Sequence, residues 1–202
     1  MHAAEMARLD SHAAATLRYI RASMDAAASL ALPGSTAMTA GGIGLLAAIV
    51  SSLPDFGRYW LIIWLAAAFV AASVGSVLLL RNSPDEALTI SGSPIRKFAM
   101  CFLPSLAAGA VLTGVLWVYG NVQAIPGTWL ILYGCALISA SAVTKQFIGG
   151  IGGGFFILGV LALFAPAAWQ MFLLGLGFGA LHILLGFLIG RAGDRSRAQA
   201  SA

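Results

Sequence analysis

Charged residues are scarce in this chain: they make up 9% of its 202 residues, whereas a soluble domain is about 25% charged. Apolar side chains account for 60% of the sequence. So little charge leaves too few polar groups to cover a water-soluble globule, and the uncharged runs approach the roughly 20 residues that cross a bilayer. These shortages exclude an ordinary soluble protein and predict an integral membrane protein.

Acidic side chains are absent from the long apolar runs, because all seven aspartates and glutamates fall between or beyond them. Proton- and cation-coupled transporters commonly place ionisable groups at that depth. Hydrolases need carboxylate pairs or motifs such as HExxH and GxSxG, which the sequence also lacks. We therefore expect no catalytic residue and rank an enzyme last among the function classes.

Cysteine is nearly absent too, and Cys101 and Cys135 both fall inside apolar runs. Without CxxC or Cys/His spacing, neither a disulfide framework nor a zinc site is indicated, and we expect no metal and no cofactor. The net charge of +4 does not indicate a nucleic-acid partner, because the basic residues stand at the ends of the apolar runs. No secretory signal peptide is expected, since the first 35 residues are polar and alanine-rich.

Six apolar runs predict an all-α integral membrane protein with six transmembrane helices. Short turns containing Pro, Gly or Asp separate most of them, and one longer polar loop, RNSPDEALTISGSPIRK, joins the second run to the third. We expect a six-span domain at 36–190 and a cytoplasmic tail at 191–202. The predicted spans are 36–53, 59–80, 98–119, 127–144, 147–165 and 168–190.

The distribution of positive charge orients these spans. Arg58 lies on the side opposite the termini, whereas the other ten lysines and arginines lie on the side of the termini. The positive-inside rule therefore predicts cytoplasmic N- and C-termini. The excess of arginine over lysine, with much alanine and glycine, is compatible with a GC-rich bacterial genome, and we expect a bacterial inner-membrane protein. An aromatic belt at the opposite ends of the spans supports this orientation: Tyr59, Trp60, Trp117, Tyr119, Trp129 and Trp169.

Two patterns indicate how the spans pack. Three outer turns, LPDFGRYW, IPGTW and APAAW, each place a proline shortly before a tryptophan, which favours three repeated helical hairpins. Glycines at GxxxG spacing are typical of closely packed membrane helices, and GGIGGG lacks the strand and the GK[ST] ending of a phosphate-binding loop. The GxxxG pairs are Gly149/Gly153, Gly150/Gly154, Gly175/Gly179 and Gly186/Gly190.

Residues 1–35 predict an amphipathic helix and a linker outside the membrane. Apolar residues at 6, 9, 13, 17, 20 and 24 share one face at helical spacing, while Arg18 points away from that face and Arg21 flanks it. One interpretation is a helix resting on anionic inner headgroups. The other is a docking helix for a protein partner or a second copy. Arg18 and Arg21 are the candidate contact residues in both.

His182 lies nine residues before Arg191, roughly 13 Å inside the membrane at 1.5 Å per residue. The structural interpretation is a neutral imidazole bonded to Ser105, to Ser139 or to a backbone carbonyl, worth about 0.6–2 kcal/mol. The functional interpretation is a proton sensor or a ligand contact. Lys145, at the inner end of span four, is a further candidate and serves most simply as a topology anchor. Tyr133 is a polar group that membrane helices tolerate routinely.

Two stretches resemble known bacterial membrane proteins. One group of small membrane proteins carries an LRYIRxxM segment before its first span, and this chain is similar to it in TLRYIRASMDAAASLALPG, six spans and the outer PGTWLILYG. That resemblance covers essentially the whole chain and implies the topology without implying an activity. A fainter similarity, to six-span acid-resistance proteins built from repeated hairpins, lies in ILGVLALFAPAAWQMFLLGLGFGALHILLG.

Two functions remain open. The first is an accessory or regulatory membrane protein that acts with a partner, or as a homo-oligomer, through its N-terminal helix or its glycine-rich spans. The second is a small transporter or channel for a neutral or apolar solute, with a path lined by Gly, Ser, Thr and His182. A hydrated cavity reaching His182 would favour the transporter, whereas a packed interior would favour the accessory protein.

Overall fold

The computed structural model describes residues 33–81, 94–144 and 147–200. Within these residues every regular element is helical, and six helices are long and apolar enough to cross a membrane. The all-α, six-span fold class is therefore confirmed. The predicted N-terminal helix with Arg18 and Arg21 lies outside the described residues, and so does Lys145.

The helices follow the predicted spans closely. α3 begins four residues earlier than expected, with a proline in the first turn where the missing N–H costs nothing. The sixth span is three consecutive elements, because a π-helical turn separates α6 from α7, and α7 continues into the segment assigned to the tail. The elements are α1 Gly34–Ser52, α2 Trp60–Arg81, α3 Pro94–Val118, α4 Ile125–Ala140, α5 Phe147–Phe164, α6 Ala167–Leu174, the π turn Gly175–Leu181 and α7 His182–Ala200.

Gly120 follows the end of α3, in the turn that leads to α4. Its φ of 72° is left-handed, a conformation that glycine adopts without steric cost. The N–H of Asn121 donates to the carbonyl of Leu116, and the N–H of Gly120 donates to the carbonyl of Trp117. This pair of hydrogen bonds is a Schellman cap, which satisfies carbonyls that the helix end would otherwise leave unpaired.

α4 and α5 form the most extensive helix pair of the bundle. A Cβ added to Gly134 would lie 2.6 Å from the carbonyl oxygen of Gly152, and one added to Gly159 would lie 2.8 Å from that of Gly127. The two glycines on α4 are seven residues apart, as are the two on α5, so on each helix they share one face. Only glycine permits so close a backbone approach, which strengthens dispersion contacts in lipid.

α1 repeats this arrangement against the last span. A Cβ on Gly34 would lie 2.5 Å from the carbonyl oxygen of Gly186, and one on Gly41 would lie 2.8 Å from that of Gly179. These glycines are again seven residues apart on each helix. The first and last spans are therefore joined as tightly as the fourth and fifth.

The GxxxG prediction is wrong for most of its pairs. Gly150, Gly153 and Gly190 have no atom within 4 Å of an added Cβ, and Gly149 and Gly154 meet only side chains. The heptad-spaced glycines make the backbone contacts instead, because a seven-residue step returns to nearly the same face in an α-helix, whereas a four-residue step advances by about 40°.

α2 and α3 lie at the periphery. α2 packs against α1 and α3 against α4, and no described residue of the second span is classed as buried. Gly109 is the one buried residue of α3 among those described, and its neighbour is the Trp129 ring. The core is supplied by the other spans, with Leu130 and Phe155 fully enclosed.

The helix pairing does not confirm three repeated hairpins. α4 and α5 belong to different predicted hairpins, yet they form the largest interface. α1 packs against α2, as a hairpin would, but it packs as closely against α7 at the other end of the chain.

Candidate functional site

A tyrosine–histidine pair, in which the histidine is buried and the tyrosine half-buried, joins α4 to α7. The Tyr133 hydroxyl and His182 Nε2 are 2.7 Å apart, a hydrogen-bonding distance. His182 is only 6% exposed, and it is the first residue of α7. The glycine contacts between α1 and the last span, and between α4 and α5, hold the helices that carry the pair.

Aromatic rings enclose this pair. Phe155 lies 4.9 Å from the Tyr133 ring and 5.3 Å from the His182 ring, centroid to centroid. Phe178 lies 5.1 Å from Tyr133, and Phe102 approaches Tyr133 edge-on at 5.3 Å. These distances and tilted geometries are those that aromatic pairs prefer. The pair therefore sits in a closely packed apolar shell contributed by α3, α5 and the π turn.

The second ring nitrogen of His182 faces the backbone of the π turn. Nδ1 is buried and makes no hydrogen bond of ordinary geometry, but backbone groups of Gly177 and Phe178 lie beside the ring. A neutral imidazole has one donor and one acceptor nitrogen. When Nε2 accepts from the Tyr133 hydroxyl, Nδ1 carries the proton and points it towards this backbone.

The serines expected as partners of His182 were wrong. Ser105 is half-buried on α3 and Ser139 is exposed on α4, and neither bonds to the imidazole, whose partner is Tyr133. The sequence had suggested no specific partner for Tyr133. Its position deep inside span four, seven residues past Pro126 and far from the aromatic belt, was the available signal, because a buried phenol usually finds a hydrogen-bond partner.

A second polar contact that the sequence did not suggest lies near the start of the last span. Gln170 is 6% exposed, and its Nε2 donates to the backbone carbonyl of Gln123 at 2.7 Å. This bond ties α6 to the turn between α3 and α4. A third, from Trp129 Nε1 to Thr113 Oγ1 at 2.8 Å, joins α4 to α3.

Two surface depressions lie away from the tyrosine–histidine pair. One, of about 420 Å³, follows the surface of α3 between Arg96 and Ala107. The other, of about 360 Å³, lies around Trp169, where α5 ends and α6 begins. Among the described residues, no three His, Cys, Asp or Glu side chains are grouped as metal ligands would be. The pair is arranged to cross-link two helices through neutral groups.

No family model, no curated protein and no solved structure matches this chain.

Proposed function

We propose that this chain is an accessory or regulatory protein of the bacterial inner membrane, with cytoplasmic termini, that acts with a partner. The packed interior carries the proposal. The polar groups of half-buried Tyr133 and buried His182 bond to each other among aromatic rings. A transport path would need polar groups turned towards an open cavity.

The peripheral position of α2 and α3 agrees with this role. Large apolar side chains cover their outer surfaces, with Phe69 74% exposed and Val111 67% exposed. In a bilayer such surfaces contact lipid or another membrane helix. Two whole spans are thus left available for a partner without disturbing the core.

Site-specific photocrosslinking in native membranes tests the proposal. A photoreactive amino acid would replace Phe69 or Val111, with Leu130, which is 0% exposed, as the matched buried position. We expect one recurrent protein crosslink from an exposed position and none from Leu130. A product of twice the chain's mass would identify a second copy as the partner. Lipid adducts alone from both exposed positions would overturn the proposal.

A small transporter for a neutral solute is the second candidate. The unpaired Nδ1 of buried His182 favours it, since a solute with a hydrogen-bonding group would satisfy that atom. Purified protein in liposomes distinguishes the two candidates. Uptake of a neutral solute that is lost in His182→Leu but retained in Gln123→Leu would replace the accessory function with transport.

A further inference from the structure

The π turn sets the angular relationship between the two ends of the last span. Gln170 and His182 are twelve residues apart, so in an uninterrupted α-helix their side chains would point about 120° apart. A π turn accommodates one additional residue in the helix, which reduces the difference to about 20° at 100° per residue. Both side chains therefore reach partners on the same side of the bundle, in α4 and in the turn that precedes it.

We propose that this turn is a joint with two states, here called registers. One is the observed π-helical turn, and the other is an α-helical turn in which α6 is rotated relative to α7. In the observed register, Gln170 and His182 are both bonded. In the second register, α6 turns by about 100° and Gln170 leaves the carbonyl of Gln123. The proposal concerns the chain alone and does not rest on the proposed function.

Glycine contacts identify which half moves. The π turn and α7 are fixed to α1 by the close approaches of Gly179 to Gly41 and of Gly186 to Gly34. α6 has Gln170 as its polar tie to another element among the described hydrogen bonds, and it buries Leu173 and Leu174 in the core. Rotation of α6 therefore breaks one side-chain bond and repacks two leucines, whereas rotation of α7 would break the tyrosine–histidine bond and separate the backbone contacts of the glycines.

The π turn is rich in glycine, which suits a segment whose backbone changes conformation. Gly175, Gly177 and Gly179 alternate through its seven residues, and glycine accepts changes in backbone dihedrals most readily. Two opposing effects act on the observed register. The Gln170 bond and the burial of Leu173 and Leu174 stabilise it, whereas the π-helical hydrogen-bond pattern, which is rare beside the α-helical one, opposes it. A ligand that binds one register better shifts the segment towards that register.

Rotation of α6 changes the position of the side chains that are exposed at the outer end of the last span. Trp169 and Phe172 form an exposed edge-to-face pair, 57% and 58% exposed. On a helix of about 5–6 Å radius, a 100° turn displaces such a side chain by about 8 Å. A molecule that binds this outer surface in one register selects that register.

Distance measurements between two spin labels test the joint in the full chain. Labels at Phe172→Cys on α6 and Val118→Cys at the end of α3 would be introduced after Cys101 and Cys135 are replaced by serine; both labelled positions are exposed. We expect a major and a minor distance, and in Gln170→Leu the minor population grows about fivefold, as loss of one ordinary hydrogen bond requires. A single distance that Gln170→Leu leaves unchanged would overturn the proposal.

Deletion of Gly177 provides an independent test, because it removes the additional residue. The span then becomes α-helical with both polar side chains still on one face, so we expect a folded protein with a single label distance. Deletion of Gly153 is the matched control. It lies in regular α5, where one lost residue rotates Gly159 away from Gly127, and we expect loss of folded protein. The joint would be contradicted if both deletions reduced the amount of folded protein equally and Gln170→Leu showed the same single label distance as the unaltered chain.

Discussion

Tyr133 and His182 join α4 to α7 through one hydrogen bond of 2.7 Å. Phe155 packs against the Tyr133 ring and Phe178 stacks on the His182 ring. A hydrogen bond between two neutral groups in such surroundings stabilises the packing of two helices.

The coupling between these two side chains is measurable. Tyr133→Phe, His182→Leu and the double variant form a thermodynamic cycle, and we expect a coupling free energy of about 0.6–2 kcal/mol, as for other interhelical hydrogen bonds in membranes. Unfolding in mixed detergent micelles would report it. Additive losses, with no coupling, would mean that the bond contributes nothing to stability.

Heptad-spaced glycines should be far less tolerant of substitution than the GxxxG glycines. Gly134→Ala places a methyl group 2.6 Å from a backbone oxygen, so we expect a loss of about 1–3 kcal/mol from overpacking. Gly153→Ala is the control on α5, where nothing lies within 4 Å. The melting temperatures of the two purified variants test this prediction. An equal decrease for Gly134→Ala and Gly153→Ala would refute the assigned packing.

Gln170 should matter for stability while Gln123 should not. Gln170→Leu removes the donor of a partly buried hydrogen bond, which costs about 0.5–1.5 kcal/mol. Gln123→Leu retains that carbonyl, because only the backbone of Gln123 takes part, so we expect a change within about 0.5 kcal/mol. Thermal unfolding of both variants is the measurement. A lower melting temperature for Gln123→Leu, with no change for Gln170→Leu, would show that the bond has been misassigned.

Reporter fusions test the orientation of the chain. Fluorescent protein fused after Ala202 should fluoresce, because we expect that end in the cytoplasm. Alkaline phosphatase fused after Asn121, in the turn that ends α3, should be active outside it. Replacing Arg58 with glutamine should leave both results unchanged, since it removes the one cation on the outer side. An active phosphatase at Ala202 would refute the orientation.

Much of the architecture could be predicted from the sequence. The six runs gave spans whose ends differ from those observed by a few residues, because the length of an apolar run and the positions of proline depend on the local chain alone. The site was predicted in part. His182 was identified as a rare polar group at depth, but its partner was assigned to serines that lie near the same depth and do not face it.

The helix-packing faces were less predictable for a geometric reason. Twenty-four glycines in 202 residues produce GxxxG spacings by composition alone, so spacing does not identify the glycines that face another helix. Gly153 and Gly152 are adjacent in the sequence, yet one faces open space and the other meets the backbone of α4.

The sequence by itself determined the class and the span boundaries of this protein, since transfer of apolar runs into lipid depends on local composition. Only the tertiary structure decided which polar groups meet. The π turn adds one residue to the last span, and this rotates His182, rather than Leu181, onto the side that carries Tyr133. A one-residue change of helical phase leaves hydropathy unaltered, but it determines every contact beyond it.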